Sequence, residues 1–405
     1  MVCLKVQRET SILVSADYEG DEYMTTNTDG IKKTAIRAAL TEDAVSRRGL
    51  MKLTGAGAAV LGLSGAAGMA TAGAANAAPT GSRNDLEPGD TSNGADNFYT
   101  SEQVTVRKIS FKNQYQMKVV GNLFVPKNLD RRLSNPALVV GHPMGAVKEQ
   151  SANLYATKMA EQGFVAMSFD LSFWGESEGK PGNAVSPDIY AEDFSAAVDY
   201  LRSLAFVDKE RVGAIGICGS GSFVLSAAKI DPRIKAIATV SMYDMGAANR
   251  DGLRKSVSLE QRKGFIAQAA AQRDVEFDGG KTAYTGGTPE VLTPDSTDVD
   301  REFYDFYRTA RGWCPNTTTH PALATNTKFM TFYPFNDMDL LSPRPLLFIT
   351  GDQAHSREFS EEAYRLATGP KELVYVPGAG HVDLYDRTGL IPFDKLTGFF
   401  RSKLT

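Results

Sequence analysis

Residues 212–221 read Val212-Gly213-Ala214-Ile215-Gly216-Ile217-Cys218-Gly219-Ser220-Gly221, followed by Ser222 to Ile230 (SFVLSAAKI) and Asp231-Pro232. The first six residues have the unbroken apolar character of a strand buried in a parallel sheet. Ser222–Ile230 suits a short helix that Pro232 stops. The sequence thus puts a thiol at a strand-to-helix turn, where the backbone is strained and the residues two positions away must be small. Gly216 and Ser220 fill those positions. The N–H groups at the helix start point towards the sulfur and favour thiolate over thiol. A structural cysteine beside a Gly-rich turn is the competing reading. Centring the turn on Ser220 would make Cys218 the small flanking residue, a poorer register.

Two later apolar runs deliver further chemistry. Pro345–Thr350 (PLLFIT) leads into Gly351-Asp352, and Glu372–Pro377 (ELVYVP) leads into Gly378-Ala379-Gly380-His381. In open parallel sheets, active groups gather at the C-terminal ends of strands. Nucleophile, acid and histidine therefore follow one another in the order found in α/β-hydrolases. Of four histidines in the chain, His381 is the one in a Gly-flanked loop after the last strand. Asp352 is the expected acid, although it comes only one residue after Gly351. Asp244, after the run Ile234–Met242, is the alternative, and His355 lies close enough in sequence to support the histidine. Ala137–Val140 runs into Gly141-His142-Pro143-Met144-Gly145, the place for a loop amide that pairs with the amide after the nucleophile as an oxyanion hole. Pro143 has no N–H, so the expected donors are Met144 and Gly219, with His142 organising the loop.

These stretches resemble a known group. HPMGAVKEQ (142–150), DLSFWGESEGKP (170–181), GICGSG (216–221), GDQAHSREFSEEAY (351–364) and GAGHVDLYDR (378–387) are similar to the dienelactone-hydrolase-related, YcjY-like branch of the α/β-hydrolase superfamily, across residues 100–405. The resemblance implies Cys218 as nucleophile, His381 as base and an acid in the Asp352 loop. Dienelactone hydrolases proper carry a glutamate beside the oxyanion strand. This chain has Pro143 after His142, which leaves that role to Glu149 or unfilled.

The expected fold class is α/β: a doubly wound, mostly parallel sheet of about eight strands with a small helical cap insertion. Val104–Phe111 and Met117–Val125 alternate and form an antiparallel opening pair. Strands near 137–141, 164–169, 212–217, 234–241, 345–350 and 372–376 then alternate with helices near 151–162, 188–204, 221–230, 359–368 and 391–403. Residues 245–335 break this rhythm and read as the cap, with helices over Leu259–Arg273 and Asp300–Ala310. Its aromatics Phe303, Tyr304, Phe306, Tyr307 and Trp313 either line a substrate pocket or pack the cap onto the sheet. Phe173 and Trp174, in a loop at the same face, are candidate substrate contacts.

Ahead of this domain (101–405), Ser46-Arg47-Arg48-Gly49-Leu50-Met51-Lys52 is a twin-arginine pattern, and residues 53–82 carry no charge. That stretch is Ala/Gly-rich and only mildly apolar, which suits a twin-arginine export signal better than a membrane anchor. Ala75-Asn76-Ala77 is a cleavage site of the expected kind, so residues 46–77 read as signal and the product as secreted or periplasmic. The twin-arginine export machinery is then a partner. Residues 1–45 read as an N-terminal extension with Met24 as a second candidate start, and 78–100 as a disordered linker. Of three cysteines, Cys218 and Cys314 follow the signal, which is no disulfide framework, although a bridge between them would silence the nucleophile. A net charge of −4 without a basic block argues against nucleic acid as a partner. No CxxC or HExxH spacing suggests a metal, and no dinucleotide fingerprint or other cofactor is expected. The expected activity is hydrolysis of a small ester, thioester or lactone through a Cys-His-Asp triad and an acyl-enzyme. Acyl transfer, or a non-catalytic binding protein on the same fold, are the alternatives.

Overall fold

The structure, a computed structural model, describes residues 90–405. The readings at 1–45 and 46–77 lie outside the described residues. The chain opens with β1 (Val104–Lys112) and β2 (Lys118–Pro126), followed by β3 (Asn135–Gly141), β4 (Val165–Phe169), β5 (Val207–Ile217), β6 (Ala236–Val240), β7 (Leu346–Gly351) and β8 (Lys371–Val376). They form one sheet in the order β1-β2-β4-β3-β5-β6-β7-β8. β2 runs antiparallel to β1 and β4, and all other neighbours are parallel. The periodicities explain this placement. β1 alternates buried and exposed at one edge, whereas β3, β4, β6, β7 and the second half of β5 are buried almost throughout.

The helices are α1 (Ser151–Glu161), α2 (Pro187–Ser203), α3 (Ser220–Ile230), α4 (Met245–Asp251), α5 (Leu259–Phe277), α6 (Asp298–Tyr307), α7 (Leu323–Asn326), α8 (Arg357–Leu366), α9 (Asp383–Asp386) and α10 (Phe393–Lys403). β4 lies on one side of β3 and β5 on the other, so right-handed crossovers put α1 on one face and α2 and α3 on the opposite face. That reversal opens a crevice at the strand ends. Register sharpens it: Gly141, the last residue of β3, pairs with Gly216 of β5, and Ile217 pairs with Val240 of β6. The loops after β3, β5 and β6 therefore leave the sheet side by side.

Between β6 and β7, α4 to α7 make the expected insertion. α5 and α6 each start with a capping box, from Ser258 with Gln261 and from Thr297 with Asp300, which sets where each helix begins. The described part of the expected linker is not disordered. Asn93 is 2% exposed, its amide donates to Glu149 and to Glu176, and Asn97 donates to the Arg311 carbonyl. A polar stretch is held here by polar partners, which hydrophobic patterning does not register.

Candidate active site

Cys218 sits between β5 and α3 with φ 53, a left-handed backbone that costs a non-glycine residue roughly 1–3 kcal/mol. The surroundings hold it there. Its N–H donates to the Val240 carbonyl at 2.9 Å, and its carbonyl accepts from Gly221 N (2.9 Å) and Tyr243 N (3.0 Å). A Cβ on Gly216 would collide with the Ser220 carbonyl, so only glycine lets the turn close. Gly219 is equally constrained: a Cβ there would come within 2.7 Å of the Met144 Cβ. The loop after β3 can thus press against the turn, and the amides of both Met144 and Gly219 hydrogen-bond the Cys218 sulfur.

That loop is fixed from three sides. His142 Nε2 accepts from Leu171 N at 3.1 Å, which leaves Nδ1–H to donate to the Pro143 carbonyl at 2.7 Å. Ser220 Oγ donates to the His142 carbonyl at 2.5 Å, and Ser222 Oγ to the Gly219 carbonyl at 2.8 Å. Both hydroxyls near the cysteine therefore serve the scaffold. Further along, Asp170 accepts from the Lys148 backbone N–H at 2.8 Å and from its Nζ at 2.9 Å. Lys148 Nζ also meets Glu149 at 2.5 Å and Glu176 at 2.6 Å, with no solvent exposure of its side chain. Glu149 belongs to this buried cluster and does not touch the sulfur. Burial pushes its carboxyl up to about 7 against the pull of Lys148.

His381 follows β8 and is fully buried. Its Nε2 lies 2.8 Å from the Tyr385 hydroxyl, which in turn hydrogen-bonds Cys218. Nδ1 lies 2.6 Å from Ser356 Oγ. Burial, and then the neighbouring His355 ring at 4.7 Å, lower the imidazole well below its usual range, while the Glu302 charge acts the other way. Glu302 reaches in from α6: Oε2 is 2.8 Å from His355 Nδ1, and Oε1 accepts from Val382 N at 2.9 Å. Burial alone would raise this carboxyl, but the hydrogen bond and charge of His355 hold it at about 2. Burial likewise pushes the Cys218 thiol up to about 11, against the hydrogen bonds from Tyr385, Gly219 and Met144. The closed site holds a neutral thiol, contrary to the thiolate that the helix start alone would favour.

Cys218, Met144, Gly219 and His381 thus come together as the sequence suggests, and the acid does not. The Asp352 carboxylate accepts from Gly378 N at 2.8 Å and does not bond His381. The backbone accounts for this, because the Asp352 N–H still bonds the Val376 carbonyl and turns the residue towards the exit of β8. Asp244 caps α4 by accepting from Ala247 N at 2.8 Å. Ser356 takes Nδ1 in their place. Phe173 and Trp174 need a second correction. The Trp174 indole is 2% exposed and donates to the Tyr190 hydroxyl at 2.9 Å. Phe173, at φ 75, lays its ring over Gly179. Both residues brace the loop. A cavity of 260 Å³ opens instead beside the cap, lined by Glu149, Gln150, Phe306, Arg311, Trp313 and Tyr385 among others. The cap aromatics divide: Phe303, Phe306 and Tyr307 are buried around the site, while Trp313 is 42% exposed at the cavity. Cys314 is buried and unbridged.

A strained strand-to-helix turn that carries a cysteine, two amides beside its sulfur and a histidine after the last strand of this sheet match the arrangement of an α/β-hydrolase. The dienelactone hydrolase family matches over residues 120–282. The uncharacterised Pseudomonas aeruginosa protein PA2218 is 45% identical over 319 residues, covering 76% of this chain and 83% of the relative. Its crystal structure covers 78% of this chain and 99% of its own at a TM-score of 0.75 and 43% identity. The uncharacterised Escherichia coli protein YcjY is 33% identical over 282 residues, 69% of this chain and 92% of the relative. The Aspergillus calidoustus acyltransferase drtE is 27% identical over 263 residues, 62% of this chain and 80% of its own. The chain belongs to the dienelactone hydrolase family, alongside PA2218 and YcjY, and is a hydrolase.

Proposed function

We propose that the protein cleaves a carboxylic ester, thioester or lactone through a covalent acyl-enzyme on Cys218. The observation that carries this reading is the pair of amides, Met144 and Gly219, hydrogen-bonded to the Cys218 sulfur. Donors placed there meet the oxyanion that forms when the sulfur attacks a carbonyl, and loss of such a donor typically costs about 3–4 kcal/mol of transition-state stabilisation. His381 serves as the base. It removes the thiol proton as the C–S bond forms, then returns it to the leaving oxygen or sulfur as the tetrahedral intermediate collapses. Water activated by the same imidazole releases the acid and restores the thiol. Ser356 orients the ring through Nδ1, and the Glu302 carboxylate favours the transient imidazolium from beside His355.

Turnover of short-chain p-nitrophenyl esters tests this reading. Cys218→Ala and His381→Ala should each lose at least about 100-fold in kcat/KM. Full activity in Cys218→Ala would overturn the nucleophile assignment. Similarity to an acyltransferase supports acyl transfer as a second reading. It predicts that an added alcohol or amine diverts the acyl group from water without changing the rate of acylation. The twin-arginine pattern at residues 46–52 supports export. A secreted product whose N-terminus begins after Ala77 would agree with it, and a product that stays cytoplasmic with residues 46–77 intact would not.

A further inference from the structure

We infer that Tyr385 is a catalytic residue that carries the proton between Cys218 and His381. Its hydroxyl lies 2.8 Å from His381 Nε2 and is hydrogen-bonded to the Cys218 sulfur on its other side. An imidazole nitrogen has one lone pair or one hydrogen to offer. With Nε2 engaged by the phenol, the thiol reaches the base through the phenol. The inference rests on the nucleophile and base proposed above and adds the group that connects them.

The tyrosine is built into this position. His381 and Tyr385 stand four residues apart where the chain coils into α9, with Tyr385 N bonded to the Val382 carbonyl at 3.0 Å, so both side chains leave on one side. Asp386 is gripped by Arg311 at 2.6 and 3.1 Å, and the Leu384 carbonyl accepts from Tyr155 at 2.7 Å. The Tyr385 ring packs edge-on against Phe306 at 5.1 Å. Both rings line the cavity, so a substrate entering there meets the phenol that covers the sulfur.

The transfer balances. The S–H proton passes to the Tyr385 oxygen as the phenolic proton passes to His381 Nε2. One S–H and one O–H bond break while one O–H and one N–H bond form. The products are thiolate and imidazolium, with tyrosine neutral throughout. This requires Nδ1–H to donate to Ser356 Oγ, so that the Nε2 lone pair faces the phenol. Burial keeps Tyr385 well above its usual range, which suits a conduit that never rests as an anion. On collapse of the tetrahedral intermediate the same path runs backwards, and the phenol hands its proton to the leaving group while Nε2–H refills it.

The test is the acylation burst of the full chain with p-nitrophenyl acetate in mixtures of light and heavy water. A relay moves two protons in one step, so the wild-type burst rate should fall along a bowed curve against deuterium fraction. Tyr385→Phe, which keeps the ring, should fold as the wild type does by circular dichroism, acylate about 100-fold more slowly and keep KM within about twofold. A straight-line dependence in the wild type overturns the inference, and this holds even if the variant does not fold. Acylation by folded Tyr385→Phe within threefold of wild type also overturns it. Cys218→Ala separates the two claims: an inactive Cys218→Ala beside an unimpaired Tyr385→Phe removes the relay and leaves the nucleophile standing.

Discussion

Replacing Lys148 with methionine removes the one cation on which three carboxylates converge, at 2.5 Å (Glu149), 2.9 Å (Asp170) and 2.6 Å (Glu176). Methionine approximates the volume of the stem, so the loss is of charge more than of packing. Lys148 and Asp170 are entirely buried, and among the described residues the remaining cation on the cluster is Lys108, 3.1 Å from Glu176. Breaking a buried pair by deleting one partner typically costs about 3–5 kcal/mol, because the other charge stays behind without compensation. At roughly 2–3 °C per kcal/mol for a domain of this size, Tm should drop by about 6–15 °C. Thermal melts at pH 7 followed by circular dichroism measure this. Lys108→Met is the control: its side chain is 31% exposed, and a pair of that kind is worth only about 0–1 kcal/mol. The effect should also reach activity, since Asp170 fixes the backbone of Lys148 four residues after the Met144 amide. A Tm shift below about 2 °C for Lys148→Met would mean that the three carboxylates do not depend on the buried cation.

Other expectations follow from the same site. With a neutral imidazole and a neutral thiol as the reacting pair, kcat/KM should stay level through about pH 6.5 and up to about pH 10, and decline only on the acid side well below the ordinary histidine range, where His381 gains a proton. A limb centred between about pH 8 and 9, where an ordinary thiol ionises, would contradict the raised thiol. Glu302→Gln should lower kcat by roughly 10-fold by removing the charge that favours imidazolium, whereas Asp352→Asn should stay within about threefold of wild type. The reverse ranking, read by initial rates at saturating ester, would restore Asp352 as the acid.

What could be read in advance was whatever local backbone logic dictates. The strand-turn-helix of residues 212–230 fixes where Cys218 stands, and the proline at 143 selects Met144 as an amide donor; β3–β5 register then brings both together. Asp352 misled because chain order says which loop carries a residue and not which way the side chain leaves it. Glu302 was invisible for another reason: it arrives on α6, from an insertion with no strand rhythm, and meets His355 only in the folded chain. Tyr385 did leave a trace, four residues after His381, but that spacing acquires meaning only once Val382–Asp386 is known to coil. Phe173 and Trp174 show the converse. Aromatics in a loop at the right end of the sheet are equally suited to bracing it, and the Trp174–Tyr190 hydrogen bond decides for bracing.

The most direct test of the central claim is to trap the acyl-enzyme. The protein is mixed with a slowly hydrolysed p-nitrophenyl ester, quenched in acid during the burst, and digested for peptide mass mapping. The expected result is one acyl group per chain, on the peptide containing Cys218, removed by neutral hydroxylamine as a thioester is and absent in Cys218→Ala. Turnover with the acyl group on Ser220 or Ser222, or on no residue at all, would contradict it.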